Sequence, residues 1–227
     1  LSEVDQSVEG FAIVGAFSVR NPSHELEVAN LIRHFTEMPV TLSCDLSAQL
    51  NAPKRAVTAL LNARLVPLIT KLLEGVKRST EQYGISAPLM IMRGDGSLVS
   101  SDFVASKPIE TILSGPAASA VGAAALSSLH NGLVVDIGGT TTDVAVIARG
   151  KPVAAQAGAV VGGYETMVNA IRVHTEGIGG DSYVAPQPLS RSGFMVGPQR
   201  ATPLVVLAAV WPNLTDLLKN QHLRDRP

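Results

Sequence analysis

"GLVVDIGGTTTDVAVIARGKP", residues 132–152, is the stretch on which the fold turns. An apolar run closes on Asp136 and Ile137. Gly138 and Gly139 follow, then Thr140, Thr141 and Thr142, then Asp143 and a second apolar run. Short runs rich in valine and isoleucine read as β-strands, and a glycine-bearing break between them reads as a tight turn. The two glycines permit backbone angles that other residues resist, and they remove side chains that would hold an anion at a distance. Successive backbone N–H groups in such a turn form an anion-binding concavity, and the three hydroxyls add donors. A carboxylate beside phosphate repels it unless a cation intervenes. Asp136 and Asp143 therefore read as ligands of Mg²⁺ or of its waters, since that ion takes oxygen ligands and keeps several waters. Such an assembly suits phosphoryl transfer, where positioning and charge neutralisation do most of the work. The plain alternative is a hairpin with a Gly-Gly turn and threonines chosen for β propensity. No G-x-x-x-x-G-K-[ST] sequence occurs, so this is not a Walker-type loop.

Working outward, strands and helices alternate, which argues for a layered α/β unit. The 227 residues suffice for one large or two small domains, and 46% are hydrophobic, enough for a substantial core. "EGFAIVGAFSV" (9–19) reads as a buried strand. A helix follows with Asn21 as cap, Pro22 at its first position and Leu26, Ala29, Ile32 and Phe35 on one face. "PVTLSCD" (39–45) reads as a short strand. Residues 52–84 read as a long amphipathic helix with Val57, Leu60, Leu61, Leu65, Leu68, Leu72 and Val76 on its stripe. Pro67 is expected to kink it and Gly84 to end it. "APLMIMR" (87–93) reads as a buried strand closed by the turn "GDGS". Ser114 is expected to cap a helix whose first turns are so small that it can lie close to a neighbour or a ligand. Residues 132–139, 141–150 and 151–161 then read as three consecutive strands. The tail from Thr202 holds one or two short helices split by Pro212. The expected division is 1–85, 86–200 and 201–227.

Net charge is -1, which gives no electrostatic case for nucleic acid or an anionic membrane. The longest small-apolar run, within 117–129, is too short and too glycine-rich to span a bilayer. Cys44 is alone, so no intrachain disulfide forms, consistent with a reducing, cytoplasmic setting. The chain opens on Leu1 without a start methionine or signal-like segment, as a piece cut from a longer protein would. No Cys/His cluster has zinc-ligand spacing, and nothing activates Cys44 as a nucleophile. His24 and Glu25 can serve as metal ligands or as acid and base, or can cap and pack the helix they open. His174 adjoins a glycine-dense stretch. Arg55 and Asn62 lie two helical turns apart on one face and either reach a substrate or bridge elements. Arg93 and Asp95 read as solvent-facing, and Trp211 as a packing anchor.

The central stretch resembles the second phosphate-loop region of the actin-like ATPase superfamily, and more specifically the hydantoinase A/5-oxoprolinase family. "FSVRNPSHE", "RAVTALLNARLVPLI", "LMIMRGDGSLVS" and "PIETILSGPAASAVGA" resemble that family's segments in its order, so the likeness covers roughly residues 10–198. It implies an α/β, ribonuclease H-like fold with mixed sheets flanked by helices, here in an incomplete two-lobed arrangement. It implies ATP-dependent hydrolysis of a small cyclic amide, with ATP activating the amide oxygen and a hydantoinase B-like partner subunit or domain completing the reaction. A small-molecule kinase of the same superfamily and a non-catalytic module of the same fold are the alternatives. Asp136, Gly138, Gly139, Thr140, Thr141, Thr142 and Asp143 match the family's phosphate motif. Ser114, Gly115 and Pro116 match its "SGPA" loop, and Gly177, Gly179, Gly180 and Ser182 match its later glycine loop. The implied cofactors are ATP and Mg²⁺, with Asp136 and Asp143 as metal ligands and catalytic groups. Two departures stand out. No glycine- and threonine-rich first phosphate loop precedes Phe11, and Asp181 stands in "GIGGDS" where the family usually has glycine. That carboxylate either binds a cation or disfavours phosphate.

Overall fold

A computed structural model of the chain describes residues 8–187, 192–211, 213, 214, 216 and 219. The expected break at Pro212 lies outside them. The architecture is mixed α/β, built from small sheets and helices, as the sequence implied. By internal contacts the chain divides into two compact units, Leu1–Val134 with Ala145–Val173, and Val135–Val144 with His174–Pro227.

The first unit opens with β1 (Phe11–Ile13), α1 (Ser23–Phe35), β2 (Val40–Leu42), the one-turn α2 (Ser43–Leu46) and α3 (Ala52–Gln82). β1 and β2 pair in parallel, with Ala12 opposite Thr41. The strand expected over 9–19 stops at Ile13 because a buried carboxylate takes over the backbone. Gly15 N–H donates to Glu25 Oε1 at 2.7 Å, and the chain then turns. Likewise, the expected strand over 39–45 ends at Leu42, where Cys44 N–H donates to Glu25 Oε2 at 3.1 Å. Pro22, not Asn21, occupies the cap position of α1, although Asn21 Oδ1 still accepts from Ser23 N–H at 3.1 Å. The buried stripe of α1 is Glu25, Ala29 and Ile32, while the expected Leu26 and Phe35 are exposed.

α3 forms as expected, with Asn51 Oδ1 accepting from Lys54 N–H as its cap. Pro67 lies inside the helix without ending it, and Gly84 takes a positive φ of 67° just beyond its end. Its buried face differs from the expected stripe. Arg55, Thr58, Ala59, Asn62 and Ala63 are buried, whereas Leu60, Leu68 and Leu72 are exposed. Each of the buried polar groups has a partner that explains its place. Thr58 Oγ1 accepts from Met167 N–H at 2.9 Å, and Asn62 is bonded on both its amide atoms. α3 is also long and apolar enough to cross a membrane by length and composition alone. Its N-terminal half carries a buried arginine and asparagine satisfied by protein groups, while Leu68 and Leu72 of its C-terminal half are exposed.

β3 (Met90–Met92) and β4 (Leu98–Ser100) form an antiparallel ribbon around the "GDGS" turn, shorter and more exposed than the buried strand expected at 87–93. Gly94 N–H bonds Glu110 O at 2.9 Å, and the backbone at Ile112 closes over Gly94 so tightly that only glycine fits. α4 (Ser101–Ser106) and a 3₁₀ turn (Pro108–Thr111) lead to α5 (Ser114–Ser127). Ser114 is the first residue of α5 and not its cap. Leu113 takes that position in the left-handed region at φ 63°, with no side-chain cap bond. The small residues of α5 serve packing: Ala117, Ala120 and Ala124 sit against Ala145, Ile147 and Ile171. A second apolar cluster gathers Ile109, Ala159, Val168 and Ala170, against which Leu61 and Leu65 of α3 pack.

β5 (Asn131–Ile137) and β6 (Thr142–Ala148) form the hairpin read from the sequence. With β7 (Lys151–Pro152) and β10 (Val173–Glu176) they make the largest sheet, ordered β10-β6-β5 with β7 also on β6. The single strand expected over 151–161 is instead β7 and β8 (Val160–Val161), joined by irregular chain and paired with β9 (Tyr164–Glu165) only at its end. Gly158 takes a positive φ of 79°, outside the strand region, and a side chain there would collide with Thr166 O, so the run breaks at a position only glycine fits. In the second unit, β11 (Ser182–Pro186) and β12 (Phe194–Arg200) pair antiparallel, and α6 (Leu204–Val210) follows. Trp211, expected to anchor packing, is exposed.

Candidate phosphate-binding turn

The turn between β5 and β6 is closed by Gly138 N–H donating to Thr141 O at 2.9 Å. A second loop, residues 177–182, lies directly on it. Gly180 N–H donates to Gly138 O at 2.9 Å, Asp181 N–H to Gly139 O at 2.7 Å, and Thr142 Oγ1 to Ile178 O at 2.7 Å. The glycines are what allow this approach. A Cβ on Gly179 would lie 2.6 Å from Gly139 O and 2.7 Å from Gly138 O. Ser182 Oγ accepts from Gly179 N–H at 2.9 Å and so holds the second loop in its own turn. The structure thus brings Gly138, Gly139, Thr142, Gly179 and Gly180 together, as two loops clasped through backbone.

The clasp consumes the carbonyls of the turn and leaves its donors. Among the described residues, nothing accepts from the N–H groups of Gly139, Thr140 or Thr141. Gly138, Gly139 and Thr140 are exposed, and Asp136 and Asp143 are half-buried at the strand ends. Asp143 is held in place, its Oδ1 accepting from Thr175 Oγ1 at 2.5 Å. Thr175, on β10, went unsingled in the sequence, and its alternation along "VHTE" is the only signal that could have marked it. Among the described residues no side-chain donor meets Asp136. No three His, Cys, Asp or Glu side chains among the described residues come together. Two part-exposed aspartates suit an ion that draws its other ligands from water and phosphate, as Mg²⁺ does, better than they suit an all-protein cage.

Asp181 has a specific position. Its Oδ2 lies 2.8 Å from the point a Cβ on Gly139 would occupy, so the carboxylate rests against Gly139 itself. Ser114, Gly115 and Pro116 belong to the other compact unit, where they open α5; no atom comes within 4 Å of a Cβ built on Gly115. Two cavities of about 530 and 660 Å³ lie in that same unit, beside the C-terminal half of α3 and beneath α5, and neither is lined by the turn.

The remaining candidates sort into structural roles. His24 is exposed, and His174 pairs with Glu176 at 2.7 Å on the surface. Arg55 bridges elements: fully buried, it donates to Ser43 Oγ, to the carbonyls of Gly15, Ala16 and Gln49, and to Ser18 Oγ. Asn62 donates to Thr41 Oγ1 and Ser106 O and accepts from Ile109 N–H. Arg93 and Asp95 are not simply solvent-facing. Arg93 pairs with Glu110 at 2.6 Å and Asp95 at 3.2 Å. Burial alone would raise the Asp95 carboxyl, but bonds from Ser97 and the charge of Arg93 hold it below its usual range. Burial, with the neighbouring Glu25 and Asp45 charges, pushes the Cys44 thiol up to about 11, which leaves it unreactive.

The structure thus presents a mixed α/β chain with a glycine–threonine turn between two aspartate-bearing strand ends, clasped by a second glycine loop. The chain belongs to the hydantoinase/oxoprolinase family, whose profile matches residues 55–208. It is similar to the caprolactamase subunit alpha of Pseudomonas jessenii, 27% identical over 184 residues, 78% of this chain and 26% of that one. It is similar to the 5-oxoprolinase of Saccharomyces cerevisiae, 27% identical over 198 residues, 86% of this chain and 15% of that one. The crystal structure of the ATP-dependent caprolactamase from Pseudomonas jessenii superimposes with a TM-score of 0.67 at 27% identity, covering 86% of this chain and 28% of that one. The chain therefore spans about a quarter or less of the length of these relatives.

Proposed function

We propose that this chain supplies the Mg-ATP phosphate turn of an ATP-dependent hydrolase of cyclic amides. The observation that carries the reading is the turn at 138–141, exposed at Gly138, Gly139 and Thr140, with three successive N–H groups that no described protein group accepts, set between Asp136 and Asp143. Backbone donors in succession bind phosphate oxygens without a side chain to hold them off. Asp136 and Asp143 hold the cation and its waters, and Thr175 keeps the Asp143 carboxylate aimed. ATP, when bound, supplies the phosphoryl group that activates the amide oxygen. The chain's own residues bind and orient the polyphosphate and offset its charge. Thr140 and Thr141 offer hydroxyls beside the same anion, and the loop at Gly179 and Gly180 fixes the turn's shape. Ser114 and Gly115, which open α5 in the other unit, are proposed as cofactor-binding residues from the likeness of their own loop to the family's.

The relatives' names support the chemistry, since they are a caprolactamase and a 5-oxoprolinase, both acting on a cyclic amide. The word "subunit" in the first supports a partner subunit or domain, and the lone Cys44 suits the cytoplasm. The phosphate-binding core is assigned to residues 86–200, with 1–85 before it and a helical tail after it. Asp136→Asn in the intact protein is expected to lower ATP turnover by roughly tenfold or more at unchanged thermal stability. Wild-type turnover in that variant would refute the assignment. One observation favours a second reading, a non-catalytic module of the same fold: the Asp181 carboxylate resting on Gly139 opposes an anion there. Calorimetry with Mg-ATP on the intact protein separates the two, because micromolar binding supports the enzyme.

A further inference from the structure

The Asp181 contact has a consequence for which form of nucleotide the turn accepts. We infer that Asp181 is a charge gate, a specificity-determining residue that makes polyphosphate binding at 138–141 conditional on a divalent cation. This rests on the reading of the turn as a phosphate site and goes beyond it.

Three observations fix the gate in place. Asp181 N–H donates to Gly139 O at 2.7 Å, and Asp181 O accepts from Ala201 N–H at 2.7 Å, so the residue is pinned on both sides. The carboxylate oxygen then lies 2.8 Å from the Cβ position of Gly139, against the turn's own backbone. Among the described residues no side-chain donor reaches that carboxylate, so its charge is not spent on an ion pair. The charged residues of the neighbouring backbone are of both signs: Asp136 and Asp143 flank the turn, and Arg200 lies opposite Ser182 on β12 without forming an ion pair with Asp181.

A phosphate oxygen on the N–H groups of Gly139 and Thr140 would lie within a few ångströms of this carboxylate. Two anions at such range repel strongly at a partly shielded site. A cation shared between them reverses the sign, as bound cations commonly do. Metal-free polyphosphate is therefore rejected and its metal complex is accepted. Gly139 is required for the same arrangement, because any side chain there would displace the Asp181 carboxylate.

The test uses the intact protein, with calorimetric titration of ATP in EDTA and of Mg-ATP. Asp181→Asn keeps the residue's size and its backbone bonds while removing the charge; Asp181→Gly is the second variant. Both are expected to bind metal-free ATP about tenfold more tightly than the parent and Mg-ATP less tightly, because the shared cation loses a carboxylate, so the preference for the metal complex collapses. Thermal unfolding at the parent temperature confirms that the variants are folded. If the parent binds Mg-ATP and neither variant gains metal-free affinity, the gate is wrong and the phosphate turn stands. If the parent binds neither form, the turn assignment fails and the gate fails with it.

Discussion

Glu25 shows how one residue organises a unit. Its carboxylate is 1% exposed, yet it accepts from Gly15 N–H, Ser43 Oγ at 2.6 Å and Cys44 N–H. Burial alone would raise its pKa. The hydroxyls of Ser18 and Ser43 and the two backbone donors outweigh burial and bring it from 4.5 down to about 2. A group whose folded value is depressed contributes stability above its unfolded value and loses it as pH falls through the folded one. The contribution, roughly 3 kcal/mol, is thus present above about pH 4.5 and gone near pH 2. Urea denaturation is expected to place Glu25→Gln about 2–3 kcal/mol below the parent at neutral pH, with the gap closing as pH falls through this window. A gap that does not change with pH would show that the carboxylate charge is not what the four donors stabilise. In the sequence this residue was legible only as half of a His24-Glu25 pair. Its real partners lie at Gly15, Ser43 and Cys44, and no local periodicity connects those positions. The same holds for Arg55, whose five acceptors come from three separate segments.

At the scale of elements, regular local patterns were legible and tertiary substitutions were not. α3 announced itself through apolar spacing and the terminating Gly84, and the β5–β6 hairpin through its two Val/Ile-rich runs. Both formed with nearly the expected bounds. The strand expected over 151–161 breaks where Gly158 turns to a positive φ of 79°, and glycine is required there because a side chain would meet Thr166 O, a neighbour invisible along the chain. The glycines of the site were legible as glycines, but half of their purpose was hidden. Gly179 is small so that one loop can lie on another, and only the exposed side of Gly138 and Gly139 is left for an anion. Gly179→Ala is therefore expected to force the two loops apart, costing about 1–3 kcal/mol of stability and weakening Mg-ATP binding with it. Gly177→Ala is the matched control two residues away: nothing lies within 4 Å of the added carbon, so it should be near-neutral. Equal Tm values for the two variants, read by calorimetry, would show that the clasp does not hold the turn.

At the scale of the whole molecule, the chain carries more apolar surface than its two clusters use. α3 makes this plainest, because its sequence periodicity and its burial disagree. The buried face holds Arg55, Thr58 and Asn62, while Leu68 and Leu72, 67% and 58% exposed, look outward. Apolar spacing identified the helix correctly and its inner face in part: Leu61 and Leu65 pack inward as expected, whereas Leu60, Leu68 and Leu72 do not. The reason is physical: the buried polar groups are satisfied by hydrogen bonds to segments remote in sequence, such as Gly15, Thr41 and Met167, that a helical projection does not contain. Exposed leucines contribute little to folding, since their surface stays in water in both states. They do favour association with whatever apolar surface is present. For this chain, Leu68→Gln with Leu72→Gln is expected to change the unfolding free energy by less than about 0.5 kcal/mol per site. The same pair should lower self-association, measured by sedimentation velocity across a range of concentrations. A cooperative loss of stability of about 2 kcal/mol or more would mean that these side chains are covered by polypeptide, and that the solvent-facing assignment of the C-terminal half of α3 is wrong.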